Sequence, residues 1–179
     1  LSENNKTIKF NNITLRKAVK EWLEDDKKAE ATYGHISDWD TSELTDMNEL
    51  FLDAHTFNEP IGNWDVSNVT IMRSLFAYAS AFNQDISSWD VGSVTDMSYI
   101  FFEAQSFNSD LTSWDMSNVT NMNGMFFDAY SFNHDLSSWD VSNVTYMSGM
   151  FYSAYSLSVE NKCAIQTSFS TNPEWPYEW

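Results

Sequence analysis

A Trp-Asp pair recurs at residues 39–40, 64–65, 89–90, 114–115 and 139–140, so the chain repeats itself every 25 residues. The same register aligns Met47, Met72, Met97, Met122 and Met147, then Phe51, Phe76, Phe101, Phe126 and Phe151, then Ala54, Ala79, Ala104, Ala129 and Ala154. Five copies occupy residues 39–158, and the copy at 89–113 reads WDVGSVTDMSYIFFEAQSFNSDLTS. A unit this short cannot bury its own apolar face, so copies must stack, each residue over its equivalent. Ladders of Trp, Met and Phe are then the core. That accounts for the 16% aromatic content of so polar a chain.

Within a unit two hydrophobic periods are separable. Trp89 and Val91 alternate with Ser88, Asp90 and Gly92 after Ile86, the pattern of a short half-buried strand. Met97, Ile100, Phe101 and Ala104 follow at i, i+3, i+4 and i+7, the stripe of a short helical turn. The expected coil is therefore α/β, with one short strand and one short helical turn per 25 residues. Terminal coils need covering, because open ends expose core and unpaired edges. Residues 1–38 form an N-terminal capping region in which Ile13, Leu15, Ala18, Val19, Trp22 and Leu23 predict one amphipathic helix over about 12–31, with Asn12 or Thr14 as N-cap. Residues 159–179, with Pro173 and Pro176 among Trp175, Tyr177 and Trp179, predict an irregular C-terminal cap.

The repeated form F-N-x-D-I-S-x-W-D-V-S-x-V-x-x-M-x-x-M-F resembles that of bacterial BspA-like leucine-rich-repeat surface proteins, in the branch with 25- or 26-residue repeats. Residues 111–133, LTSWDMSNVTNMNGMFFDAYSFN, also align with the pattern L-x-x-I-x-I-P-x-x-V-x-x-I-x-x-x-A-F, placing Trp114 and Met116 at its strand positions. The flanking YGHISDWDTS and KCAIQTSFSTNPEWPYEW are similar to segments that border such arrays. The resemblance implies a right-handed, leucine-rich-repeat-like solenoid in a secreted or surface-exposed protein, associated with adhesion and host or matrix binding. It brings no catalytic residues. The first two copies depart from the pattern at Thr41, Glu43 and Glu59-Pro60.

A net charge of −17 repels polyanions, which excludes nucleic acid and anionic membrane as expected partners and makes divalent cations candidates. The single Cys163 excludes an intrachain disulfide framework, and no apolar run reaches a membrane span's length. LSENNKTIKF lacks the features of a signal peptide, so the sequence reads as a processed or trimmed piece. His35, His55 and His134 share no repeat position, and no nucleophile, phosphate-loop or zinc motif is present. The expectation is a protein without enzymatic activity or a required cofactor.

Asp40, Asp65, Asp90, Asp115 and Asp140 form a column. At a coil spacing of about 4.8 Å neighbouring carboxylates repel by roughly 1 kcal/mol in water. Either calcium relieves this, with Ser67, Ser117 and Ser142 as further oxygen ligands, or each Asp accepts hydrogen bonds within its own turn. A shared-charge column predicts raised carboxylate pKa values and stabilisation on mild acidification. The column Asn58, Asn83, Asn108 and Asn133, with Asp85, Asp110 and Asp135 beyond it, reads as structural. One Thr column at 45, 70, 95, 120 and 145 is a weak basis for an ice-binding array.

Specificity must lie where copies differ. The residues after the repeated Phe are Leu52, Ala77, Phe102, Phe127 and Tyr152, with Tyr78, Tyr99, Tyr130, Tyr146 and Tyr155 nearby. Phe102, Phe127, Tyr152, Tyr78, Tyr130 and Tyr155 are candidate anchors for an extracellular protein or glycan; the alternative is packing between coils or onto a neighbouring domain. The functional expectation is an adhesion or protein-interaction module outside the cell. The alternatives are a self-associating filament or surface-layer element, and divalent-cation or glycan binding.

Overall fold

The computed structural model describes residues 8–179. The repeats lie over one another in chain order, so the aromatic columns expected from the period are present. Phe51, Phe76, Phe101, Phe126 and Phe151 stack with ring centroids 5.5–5.8 Å apart. A second column, Phe57, Phe82, Phe107 and Phe132, runs beside it, and within one coil Phe101 meets Phe107 at 3.8 Å. Trp, Met, Val and Ala columns complete a continuous buried core.

The Trp column fixes register through hydrogen bonds as well as packing. The indole N–H of Trp64, Trp89, Trp114 and Trp139 donates to the buried carbonyl of Ile36, Ile61, Ile86 and Leu111, 28 residues earlier. A buried N–H left unpaired costs about 1–3 kcal/mol, so a coil slipped by one residue would lose more than apolar contact. Among the described residues no buried side-chain nitrogen or oxygen lacks a partner.

The expected strand and helical turn in each coil do not form, which overturns the leucine-rich-repeat-like reading. Among the described residues, parallel pairing is confined to isolated bridges: Lys9 with Asp40, then Asp46, Ile71, Asp96, Asn121 and Tyr146 in succession. At Ile86–Val91 the chain bends instead of extending. The Trp89 N–H returns to Ile86 O and the Val94 N–H to Val91 O, while Ser87 N–H and Gly92 N–H are taken by Asp85 and Asp90 carboxylates. Few backbone donors remain for a ladder, and side chains join the coils here, as Ser88 does to Gly62 O and Ser113 to Ser87 O.

The Met97–Ala104 stripe fails as a helix for a different reason. Tyr99 and Glu103 are left-handed, and so are their equivalents in every copy: Glu49 and Asp53, Ser74 and Tyr78, Gly124 and Asp128, Gly149 and Ser153, with φ between 51° and 65°. Alternate N–H groups therefore point in opposite directions. Those of Met97, Tyr99, Phe101 and Glu103 donate across to Asn121, Asn123, Met125 and Phe127 carbonyls in the next coil. Those of Ile100, Phe102 and Ala104 fold back three residues. A helix would send every N–H to its own i−4 carbonyl. The left-handed residues cost roughly 1–2 kcal/mol each where they are not glycine, and the inter-coil hydrogen bonds they permit offset this.

Side chains imitate the missing coil at each end. Helix α1, Asn12–Glu24, buries Leu15, Ala18, Val19 and Trp22, and Trp22 sits edge-on to Trp39 of the first coil. Its N-cap is Asn11, not Asn12 or Thr14 as expected; Thr14 instead bonds back to Asn11 from the third helical position. The Asn12 side-chain oxygen accepts the Thr45 N–H, as Thr45 O accepts the Thr70 N–H one coil later. The single helix expected over 12–31 is broken at Asp25, whose carboxylate caps a second helix, α2, Asp26–Tyr33. A short 3-10 turn at Ile36–Asp38 leads into the repeats.

The C-terminal cap is not irregular throughout, because Val159–Phe169 forms helix α3, capped by Ser158. Ile165 and Phe169 are buried, and the side-chain amide of the buried Asn172 donates to the Val141 and Val144 carbonyls of the last coil. Phe151 N–H, which has no further coil to donate to, donates to the Tyr177 hydroxyl instead.

Candidate functional site

The regular polar columns are committed to structure. Asp40, Asp65, Asp85 and Asp96 each accept both the backbone N–H and the hydroxyl of the Ser two residues on, and Asp110 does the same with Thr112. Asp90, Asp115 and Asp140 accept the backbone N–H at the same spacing. These bonds hold the carboxyls of Asp40, Asp65, Asp115 and Asp140 below the usual carboxylate range. At Asp65 the Ser67 hydroxyl is the largest cause, and the Asp40 charge is the smallest. The direction is opposite to that expected for a column dominated by mutual repulsion. Among the described residues no three His, Cys, Asp or Glu side chains converge to hold a metal ion.

Asn and Thr columns join coils in the same manner. The Asn58, Asn83 and Asn108 side-chain oxygens accept the backbone N–H of Asn83, Asn108 and Asn133, and Ser158 N–H ends the series on Asn133. Thr70, Thr95, Thr120 and Thr145 hydroxyls each donate to the preceding Thr carbonyl. The three histidines stay apart, with His55 on Tyr78 O, His134 on Asn108 O and His35 on Ser37.

The variable aromatic positions, in contrast, gather into two stacks. Phe102, Phe127 and Tyr152 stack at 4.7 Å with interplanar angles of 17° and 19°. Tyr78 and Tyr99 meet Phe102 edge-on at 5.3 and 5.8 Å. Three residues further along each coil, Tyr130 and Tyr155 form a shorter stack at 5.8 Å. Phe102, Phe127 and Tyr78 are half-buried, whereas Tyr152 and Tyr155 are 59% and 77% exposed. Tyr146 is exposed as well, but it belongs to the bridge column and not to this cluster.

Coil conformation makes room for these rings. Gly124 and Gly149 occupy a left-handed position held by Tyr99 in the preceding copy. A Cβ built on Gly124 would lie 2.6 Å from the Tyr99 ring, so the absent side chain is what lets that ring lie over the next coil. At the other end of the ladder Ser74 stands where the neighbouring copies have Glu49 and Tyr99, and Ala77 where the others have Leu, Phe or Tyr. Leu52, Tyr78, Tyr99 and Phe102 then wall an open hollow of about 230 Å³ over them.

Glu103 and Asp128 adjoin the stacked rings without being marked by any motif. They directly follow Phe102 and Phe127, and their charges raise the pKa of the Tyr130 hydroxyl, after desolvation the main influence on it. The two glycines at one repeat position are a readable signal of a left-handed site. The acids have no signal beyond adjacency to the variable rings.

No helix among the described residues is long and apolar enough to cross a membrane. No curated protein and no solved structure matches the chain. A family model described as "Mycoplasma protein of unknown function, DUF285" matches residues 17–122 and again 87–172, running from α1 through the repeats and past the end of α3. The overlapping matches cover most of the sequence, and the chain belongs to that family.

Proposed function

We propose that the repeat stack is a non-enzymatic protein-interaction module displayed outside the cell, and that its binding face is the Phe102–Phe127–Tyr152 ladder with Tyr78, Tyr99, Tyr130 and Tyr155. The observation that carries this is a contrast between columns. Positions that build the stack keep one residue type or a close substitute, while this face changes from Leu52 and Ala77 to Phe102, Phe127 and Tyr152 and leaves large rings in solvent. Contiguous exposed aromatic surface is uncommon on a protein that works alone and is enriched at binding sites. The resemblance to BspA-like surface proteins supports display outside the cell. The covered ends, with Asn12 and Tyr177 satisfying the terminal coils, favour this reading over head-to-tail stacking into filaments.

The test is surface capture of the full chain on immobilised extracellular-matrix proteins, beside a variant carrying Phe102→Ser, Phe127→Ser and Tyr152→Ser. Capture of the native chain and its loss in a variant that still unfolds cooperatively is the expected result. Equal capture of both would remove the function from this face.

A further inference from the structure

The repeats are unusually one-sided in charge. Residues 39–158 hold sixteen Asp and Glu side chains against Arg73 alone. Most of that acid is engaged in its own turns, but Glu103 and Asp128 stand in the aromatic face, and neither has an ion-pair partner among the described residues. Ring geometry narrows what can lie beside them. Because Phe102, Phe127 and Tyr152 are stacked face to face, Phe127 is covered on both ring faces and Phe102 on the face toward it, so that beside the two acids ring edges form the surface. A sugar ring or a compact organic cation needs an open face to stack on. A long side chain that couples an apolar stem to a charged head needs only an apolar edge with an acid next to it.

The hollow over Ser74 and Ala77 adds a second requirement, since Leu52, Tyr78, Tyr99 and Phe102 shape it for an apolar group. From there to Tyr152 is three coil steps, roughly 15 Å at about 4.8 Å per coil, which four to five residues of extended chain would span.

Resting on the interaction reading above, we infer that this face binds an extended Arg- or Lys-rich segment of a partner protein, with an aliphatic side chain in the Ala77 hollow and cationic heads on Glu103 and Asp128. The stems of those cations lie along the edges of Phe102 and Phe127. Tyr152, at the end of the ladder, closes the site.

Calorimetric titration of the full chain with three blocked hexapeptides tests this: alternating Arg-Leu, Gln-Leu and Glu-Leu. The Arg peptide should bind at least about tenfold more tightly than the Gln peptide, with the Glu peptide weakest, and the preference should shrink as salt is raised. Glu103→Gln with Asp128→Asn should remove that preference without moving the urea midpoint. Because the whole chain is acidic, an Arg preference that survives in this variant would be general attraction and would overturn the inference. Equal binding of Gln and Arg peptides, or no binding of any, overturns it too. If the Gln peptide binds and is lost with Phe127→Ser, the face remains an interaction surface and only its cationic occupant is wrong.

Discussion

Phe101, Phe126 and Phe151 and the residues directly after them, Phe102, Phe127 and Tyr152, are stacked by one 25-residue period, yet the first three are buried while Phe102 and Phe127 are half-buried and Tyr152 is exposed. The first column is Phe in all five copies, and its members are no more than 5% exposed. The second begins as Leu52 and Ala77, turns aromatic, and ends in solvent. Stacking alone therefore does not fix a residue type. Enclosure does, because a buried ring of the wrong size leaves a cavity or a clash, whereas a ring on the surface relaxes into water.

The contrast can be broken from either side. Phe101→Ala empties a site enclosed by Phe76, Phe107, Phe126 and Trp114, and should cost about 3–5 kcal/mol in urea unfolding. Gly124→Ala tests the link between columns. It places a Cβ in the left-handed region and against Tyr99, and should cost about 1–3 kcal/mol, part of which Tyr99→Ala in the same chain restores. Tyr155→Ser removes an exposed ring and should shift stability by no more than about 0.5 kcal/mol.

Acid should have the smallest effect over the physiological range. Hydrogen bonds lower the pKa values of Asp40, Asp65, Asp85, Asp110, Asp115 and Asp140 in the folded chain. A depressed folded pKa contributes stability above the unfolded value of about 3.9, and that contribution is lost as pH falls through the folded value. Melting temperature should therefore stay level from pH 7 to about 5 and fall below about 4. A rise on mild acidification would restore repulsion as the dominant influence on the Asp column.

The period, the core columns and the capping role of the first helix could be read directly from spacing, because Trp, Met and Phe held at one fixed interval require the same buried contact to recur in every unit. Backbone conformation could not. I-x-x-W-x-V alternates as a strand would, but Asp85 and Asp90 take the N–H groups a strand needs. Met97, Ile100, Phe101 and Ala104 have helical spacing, yet residues at the positions of Tyr99 and Glu103 adopt left-handed φ in all five copies. Hydrophobic periodicity reports which side chains share a face and is silent on where the intervening N–H groups point. Only Gly124 and Gly149 hinted at the alternation, and three other copies carry residues that conceal it. The aromatic face was legible as a set of irregular positions. Its hollow and its two acids were not, since both depend on how the coils overlie one another.

Adjacent residues in one coil divide between holding the stack together and presenting a surface. Equilibrium urea unfolding of Phe126→Ala beside Phe127→Ala tests this division most directly. Loss of about 3–5 kcal/mol in the first and about 1–2 kcal/mol in the second is predicted, from core truncation and from the worth of a half-buried ring stacked on two neighbours. Equal losses would mean that Phe127 belongs to the core, and the separation of the two columns would be contradicted.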